Sequence, residues 1–584
     1  MKKRFLSIVF ILICTIELFP QKVGDAYALN INNIYMPLNR KGVLADVNVP
    51  PNGSEGQFGG HSFLFSGGFF LSGYSNGVLW ANAVASASLV EDYIPGNVDG
   101  EWNPNAVLYR VGSADPPFGQ SWLDWIDAVS LGADFYDGDA DGIYNPVDKN
   151  GNSIWDLDED CPDILGDETL WCVYHDGLPV VQRRWNTTIE VGIEVRQTVF
   201  AYSSVSELQN IIFIRYRIKY VGLGLPTEPD ILDDVYFSVW DDPDLGSSSD
   251  DLVGCDTLLT GEFTYNDGPD NEYGNNPPCF FVKTLNGPVT YVPGETFIDV
   301  NGNGIYDEGI DTPLDTAYVK LGQLLGIDEY PGAKNSKLSS ANYYINGYPD
   351  LGDPNLKEEA RNYMLGLTRI GNLINPCIWN LGQVRGGVDC SQVNPLFWYS
   401  GDPVLDYGWI CTDPRDLRML QNVGPFTLEK GKEYEIFVAY NIDQGIDALS
   451  SITDAKNIAS MAGVLYDSNF DTTSVVSVEE IQSGNIPEEY FLSQNYPNPF
   501  NPSTKIEFRI VDFGFVTLKV YDILGNEVAT LVNEEKAPGS YEVEFSAKGG
   551  SASGGNAYNL PSGVYIYSLR AGSFSQTKKM ILMK

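Results

Sequence analysis

"WNTTIEVGIEVRQTVFAYS", residues 185–203, and "NIIFIRYRIKYVG", residues 210–222, alternate in polarity and are rich in β-branched and aromatic residues. A period of two belongs to half-buried strands rather than helices. Working outward, "GHSFLFSGGFFLSGYSNGVLWANAVASASLV" (60–90) reads as strands broken by glycine turns. "DDVYFSVWDDPDLG" (233–246) is a strand running into an acidic turn, and "GPFTLEKGKEYEIFVAYNI" (424–442) reads as a hairpin. Helical signals are few: "PNLKEEARNYMLGL" (354–367) and "DALSSITDAKNIASMAGVLY" (447–466). The expected fold class is mainly β and multi-domain, with a β-sandwich-like body carrying a few short helices.

Composition narrows the function classes. The 584 residues include 36 basic and 78 acidic side chains, a net charge of −42. Phosphate would be repelled across most of such a surface, so no nucleic-acid partner is expected. With 43% hydrophobic and 12% aromatic residues the chain can bury a core, which argues against disorder. "MKKRFLSIVFILICTIELF" has a basic start and an apolar run from Phe5 to Ile16, and "AYA" at Ala26–Ala28 offers a small-residue cleavage site. Residues 1–28 therefore read as a secretory signal peptide. The apolar run is too short to span a bilayer, and no later transmembrane segment is expected. A β-rich extracellular body follows over 29–480. At 481–489 the texture changes to a linker, and 490–584 form a further compact antiparallel sandwich with a flexible "KGGSASGGN" loop at 548–556.

An exported chain can oxidise its cysteines. Cys161–Cys172 and Cys377–Cys390 are the natural local pairs, with Cys255–Cys279 a third and Cys411 left over. Spacing alone does not fix connectivity.

Two segments concentrate oxygen ligands. "DGDADGIYNPVDKNGNSIWDLDED" (137–160) holds eight carboxylates and one lysine, charges that repel unless cations sit among them. Asp137, Asp139, Asp141, Asn145 and Asp148 fall at positions 1, 3, 5, 9 and 12 of an EF-hand-type calcium loop, with Gly142 at the sharp turn. Ile143 would offer its carbonyl. The pattern restarts at Asp148, which would be shared, and continues through Asn150, Asn152, Asp156 and Glu159, with Ser153 replacing the glycine. "DVNGNGIYDEGID" gives a third copy at Asp299, Asn301, Asn303, Asp307 and Asp311. Asp, Asn and Gly also make ordinary turns, but three copies point to structural calcium. The flanks lack long helices, so loop clips within 134–165 and 299–311 are expected, not paired-helix domains. They resemble the loops of dockerin-like and thrombospondin-type repeats.

Catalytic motifs are sparse. Only His61 and His175 occur, and HExxH is absent. "GYSNG" (73–77) matches GxSxG in letters, but Ser75 sits between strand-like stretches and reads as a hairpin turn. His175 reads as a turn residue, and Cys411 as buried or bridged. Glycosidase chemistry needs only two carboxylates; the cluster Asp241, Asp242, Asp244, Asp250, Asp251 and Asp256 could be a catalytic pair, a further calcium site or a solvated turn.

The C-terminal residues resemble the type A C-terminal sorting domain of the type IX secretion system. The resemblance rests on Asn495-Tyr496-Pro497-Asn498-Pro499-Phe500-Asn501-Pro502, "YDILGNEV" (521–528), "LPSGVYIYSL" (560–569) and the terminal "KKMILMK". It implies a small Ig-like β-sandwich over 490–584 that serves as an export address. It further implies passage through the periplasm of a Gram-negative bacterium and recognition by the type IX translocon and its sorting machinery. Cleavage of the tail would then release the cargo or anchor it to surface lipopolysaccharide. "GDETLWCVYHDG" (166–177), "VWDDPDLGSSSDDLVGCDT" (239–257) and "YSGDP" (399–403) are like recurring blocks of large secreted proteins with this tail. The expected function is a calcium-stabilised surface or secreted protein with a structural, adhesive or binding role toward glycans or matrix. The alternative is a secreted polysaccharide-acting hydrolase using paired carboxylates.

Overall fold

The alternating stretches form two paired antiparallel strands, Ile193–Ala201 and Ile211–Tyr220, with Val195 opposite Ile218 and Val199 opposite Ile214. The computed structural model describes residues 22–86, 92–98, 103–185, 187–475, 490–511, 514–523, 525–536, 539–546, 560–572 and 574–583. The apolar run of the expected leader, the linker 481–489 and the 548–556 loop lie outside the described residues.

The pair sits inside an antiparallel sheet ordered Lys22–Gly24, Leu108–Gly112, Glu168–His175, Ile193–Ala201, Ile211–Tyr220, Glu433–Asp443, Cys279–Asn286, Gly261–Tyr265, Leu252–Asp256. A second sheet runs Ala26–Leu29, Ile34–Asn39, Leu44–Ala45, His61–Ser75, Ile231–Pro243, Leu417–Glu429, Leu338–Ile345. Ile214, Tyr216 and Val438 of the first sheet share one core with Phe69, Phe237 and Met419 of the second. Phe69 packs edge-on to Tyr216 at 5.3 Å and stacks on Phe237 at 5.1 Å, arrangements that aromatic quadrupoles favour. The body is a β-sandwich.

Helices cover the outer faces. Ala448–Asp467 lays Ile458, Ala462 and Leu465 on Phe200, Phe213 and Phe437. Its N-terminus is fixed by a capping box in which the Asp447 carboxylate accepts the Ser450 N–H at 2.8 Å. Lys357–Met364 sets Tyr363 and Met364 against Phe70, Trp240 and Tyr344 of the second sheet. A third helix, Gln120–Ser130, was not expected. It buries Trp122 and Trp125 against Tyr109 and Trp171. That spacing of tryptophans was a readable helical signal, masked by its brevity and by aromatic residues that favour strands elsewhere.

Several expectations are corrected. Residues 61–75 are one continuous strand rather than pieces. Gly68 permits it, because a Cβ there would lie 2.2 Å from the Val84 carbonyl oxygen of the neighbouring strand. The turn falls at Asn76 and Gly77, both at positive φ, which makes Ser75 the end of a hairpin strand. His175 is a strand residue opposite Glu194, not a turn residue. Residues 424–442 are not a hairpin: Leu417–Glu429 belongs to the second sheet and Glu433–Asp443 to the first. The connection crosses the sandwich because each strand presents its apolar face to the same core.

The Cys377–Cys390 bridge is present, with Cα atoms 5.1 Å apart. Cys161–Cys172 is not formed, and both thiols are free and buried. Cys172 lies in the central core with Leu170 and Tyr174, whereas Cys161 packs with Trp171 and Val173 on the opposite face. Cys255–Cys279 is not formed either. The strand Gly261–Tyr265 separates their strands, and two strand spacings, roughly 9–10 Å, exceed disulfide reach. Cys411 is buried and free, and burial pushes its thiol up to about 11. At the N-terminus, the expected cleavage site at Ala26–Ala28 falls within the strand Ala26–Leu29, which pairs with Ile34–Asn39.

From residue 490 onward the described residues form a separate core. A three-stranded sheet (Phe491–Leu492, Ser503–Ile510, Gly539–Ser546) and a four-stranded sheet (Glu527–Lys536, Gly514–Tyr521, Gly563–Ala571, Phe574–Leu582) contribute to it. Strict alternation shows in Ser503–Ile510, where Ile506, Phe508 and Ile510 are buried and Lys505, Glu507 and Arg509 exposed.

Candidate functional site

The three acidic loops share one hydrogen-bond frame. The first carboxylate of each accepts backbone N–H groups three to five residues on. Asp137 takes Asp141 and Gly142; Asp148 takes Gly151, Asn152 and Ser153; Asp299 takes Gly302, Asn303 and Gly304. The fifth-position side chain accepts the N–H of an isoleucine two residues on: Asp141 from Ile143, Asn152 from Ile154 and Asn303 from Ile305. Each loop coils through two left-handed positions. Gly302 and Gly304 fill both in the third loop, Ala140 and Gly142 in the first, and Gly151 and Ser153 in the second. Donation from Ser153 and its neighbours holds the Asp148 carboxyl below the usual range.

A last carboxylate closes each frame. Glu159 accepts the N–H groups of Lys149 and Asp156, and Asp311 those of Val300 and Asp307. In the first loop the equivalent acceptor is Asp160, which takes Gly138 N–H at 3.1 Å and Asn145 N–H at 2.7 Å. Asp160, not the expected Asp148, is the residue that closes it, and single carboxylate oxygens of Asp137, Asp139 and Asp160 lie within 4.8 Å of one another. Asp148 acts as the first residue of the second loop. Spacing could not reveal Asp160, which lies beyond the end of the second loop. Lys149 reaches Asp139 at 3.2 Å. In the second and third loops Asp156 and Asp307 instead accept asparagine amides, from Asn150 and Asn152 and from Asn301 and Asn303. The donor atoms in all three loops are hard oxygens, the set that suits calcium.

A cavity of about 570 Å³ opens beside the acidic loops, lined by Tyr291, Tyr330 and Tyr434 together with Asp134, Arg217 and Glu435. Arg217 contacts Asp134 and lies 3.2 Å from Glu435, while the neighbouring Arg215 reaches Asp163 at 2.6 Å. Burial raises Glu435 despite Arg217 and Arg215. Burial opposes the charge on Asp134 too, but Arg217 and Arg215 outweigh it and hold the carboxyl low. One carboxyl is thus driven toward its neutral form and the other toward its charged form, a division of states that acid–base chemistry uses.

The carboxylates of the dense 241–256 cluster take different partners. Asp241 accepts the Tyr440 hydroxyl in the core, Asp251 accepts Leu245 N–H and the Asn266 amide, and Asp256 pairs with Lys456 at 2.9 Å. Asp242 and Asp244 stay together and are joined by Asp416.

In the C-terminal unit, the proline-rich block is stitched to the final strand. The Asn498 side chain accepts Ile581 N–H, Phe500 N–H donates to the Ile581 carbonyl, and Met583 N–H returns to the Phe500 carbonyl. Asn495 is buried, its amide shared between the Pro497 carbonyl and Thr504, and Phe500 is buried in the core. Residues 494–583 match the family model described as the secretion system C-terminal sorting domain. The chain is a type IX sorting-domain protein. Its tail marks it for export to the cell surface or the medium and for interaction with the type IX secretion machinery. No helix among the described residues is long and apolar enough to cross a membrane.

No curated protein matches the sequence. Among solved structures, a polysaccharide lyase is 8% identical with a TM-score of 0.18, over 67% of this chain and 34% of the lyase. Dimeric latent PorU from Porphyromonas gingivalis is 10% identical with a TM-score of 0.13, over 71% of this chain and 31% of PorU. PorZ, a surface component of the type IX system of the same organism, is 9% identical with a TM-score of 0.13, over 96% and 74%. The chain spans about a third of the length of the first two.

Proposed function

We propose that this sorting-domain protein is a calcium-stabilised, non-enzymatic component of the bacterial surface or its surroundings, with a structural or adhesive role toward glycans or matrix. The shared frame of the three loops carries this reading: a closing carboxylate recurs in each, including one that no spacing rule picks out. Asp137, Asp139, Asp141 and Asp160 would hold one ion, with the Ile143 carbonyl. Asp148, Asn150, Asn152, Asp156 and Glu159 would hold a second, and Asp299, Asn301, Asn303, Asp307 and Asp311 a third. Outside the cell such modules bind calcium at roughly 10⁻⁴–10⁻³ M, so the clips fill after export. At a hundred times the dissociation constant one site adds about 2.7 kcal/mol. After removal of the tail, lipopolysaccharide is the proposed anchor.

Thorough chelation should lower the melting temperature and open residues 134–165 to protease, and Asp160→Ala should reproduce part of both effects. An unchanged melting curve would remove calcium from the account. The tyrosine-lined cavity favours a second reading, polysaccharide hydrolysis with Glu435 as acid. It requires release of reducing sugar that Glu435→Gln abolishes; glycan binding without turnover favours the first reading.

A further inference from the structure

We propose that Asp242, Asp244 and Asp416 form a separate site for a single divalent cation of the calcium class, built into the sandwich itself. The three residues come from two elements that meet only in the fold. Asp242 lies near the end of the strand Ile231–Pro243, Asp244 just beyond it, and Asp416 immediately before Leu417–Glu429, with which Ile231–Pro243 pairs. One carboxylate oxygen from each lies within 4.8 Å of the other two.

An acidic cluster alone is a common surface feature, but this one is rooted in the fold: Asp242 is buried, and Asp244 and Asp416 are half-buried. Asp242 is 4% exposed. Its Oδ2 is 3.0 Å from Arg418 Nη2, while its Oδ1 is buried with no hydrogen-bond donor. The Oδ1 of Asp244 is likewise buried and undonated. Arg418 also binds Asp416. With all three carboxylates ionised, the one guanidinium leaves two negative charges, the charge of one divalent cation. Leaving buried carboxylate oxygens bare is costly, and a hard cation satisfies both orphaned oxygens at once. The ion would tie the end of one strand to the start of its neighbour.

Metal content of the full-length chain, dialysed against calcium and measured by elemental mass spectrometry, tests this. Asp244→Asn/Asp416→Asn should hold one calcium fewer than the wild type, whereas Asp299→Ala, a change in the third loop, should leave this site filled. Equal calcium in the wild type and the double variant overturns the proposal. Should the double variant fail to fold, crystals of the wild type soaked in manganese decide the matter. An anomalous peak among Asp242, Asp244 and Asp416 supports the site, and its absence there overturns it. Because the loops are read separately, loss of their ions leaves this result intact.

Discussion

Ser153 occupies a backbone position that glycine fills in the first and third loops, at φ 60°. A side chain in the left-handed region costs about 1–2 kcal/mol per residue, offset in part by the greater unfolded freedom of glycine. Ser153→Gly should therefore stabilise the second loop by about 0.5–1 kcal/mol, read as a higher melting temperature in saturating calcium. A lower one would show that the serine hydroxyl has a role of its own. The first, third and fifth positions of the loop frame were legible because Asx geometry ties their side chains to local backbone N–H groups, as Asp148 and Asn152 show. Asp160 was hidden because it closes its loop from across a second one. Glu262 presents the opposite case, a carboxyl with no local signature. It is 1% exposed with one oxygen undonated, and burial, then the nearby Asp241, raises it well above the usual range. The folded state thus binds its proton more tightly than the unfolded state, so stability falls as pH rises from the unfolded carboxyl value toward the folded one. Glu262→Gln should flatten that slope, gaining on the wild type from about pH 4.5 upward; parallel melting curves for the two proteins across pH would refute it.

Among elements, the strands were easiest to read where burial is one-sided, as in Ser503–Ile510, and hardest where both faces are covered. Leu417–Glu429 and Glu433–Asp443 are strongly apolar and joined by a short polar turn, so they mimic a hairpin. What separates them is the tertiary demand of two sheets for a central strand, which no local pattern encodes. The expected Cys161–Cys172 pair failed for the same reason, since the two are near in sequence but face different cores, whereas Cys377–Cys390 formed as expected. The N-terminal strands carry a prediction of their own. Lys22–Gly24 pairs with Leu108–Gly112 and Ala26–Leu29 with Ile34–Asn39, so cleavage after Ala28 would discard paired strands. N-terminal sequencing of the exported protein should place the start at or before Lys22. A mature chain beginning at Leu29 would show that both strands are dispensable.

At the scale of the whole molecule, the tail and the body answer to different tests. Deleting residues 490–584 should leave a folded body that accumulates in the periplasm, detected by fractionation and a retained melting transition; normal arrival at the surface would contradict the tail's role. Ending the chain at residue 416 should instead abolish the transition, because both sheets then lose a strand from between two partners. A cooperative transition in that shorter chain would argue against the sandwich as drawn. The crossing of residues 417–443 from one sheet to the other also sets a clock. A polypeptide threaded through a membrane from its N-terminus cannot complete either layer until this late segment has emerged. The sorting signal follows soon afterwards, so the address arrives at almost the same moment as the means to fold. A cargo organised this way remains threadable until about three-quarters of the chain has made its first crossing, and becomes rigid only when its label for the second is coming into view.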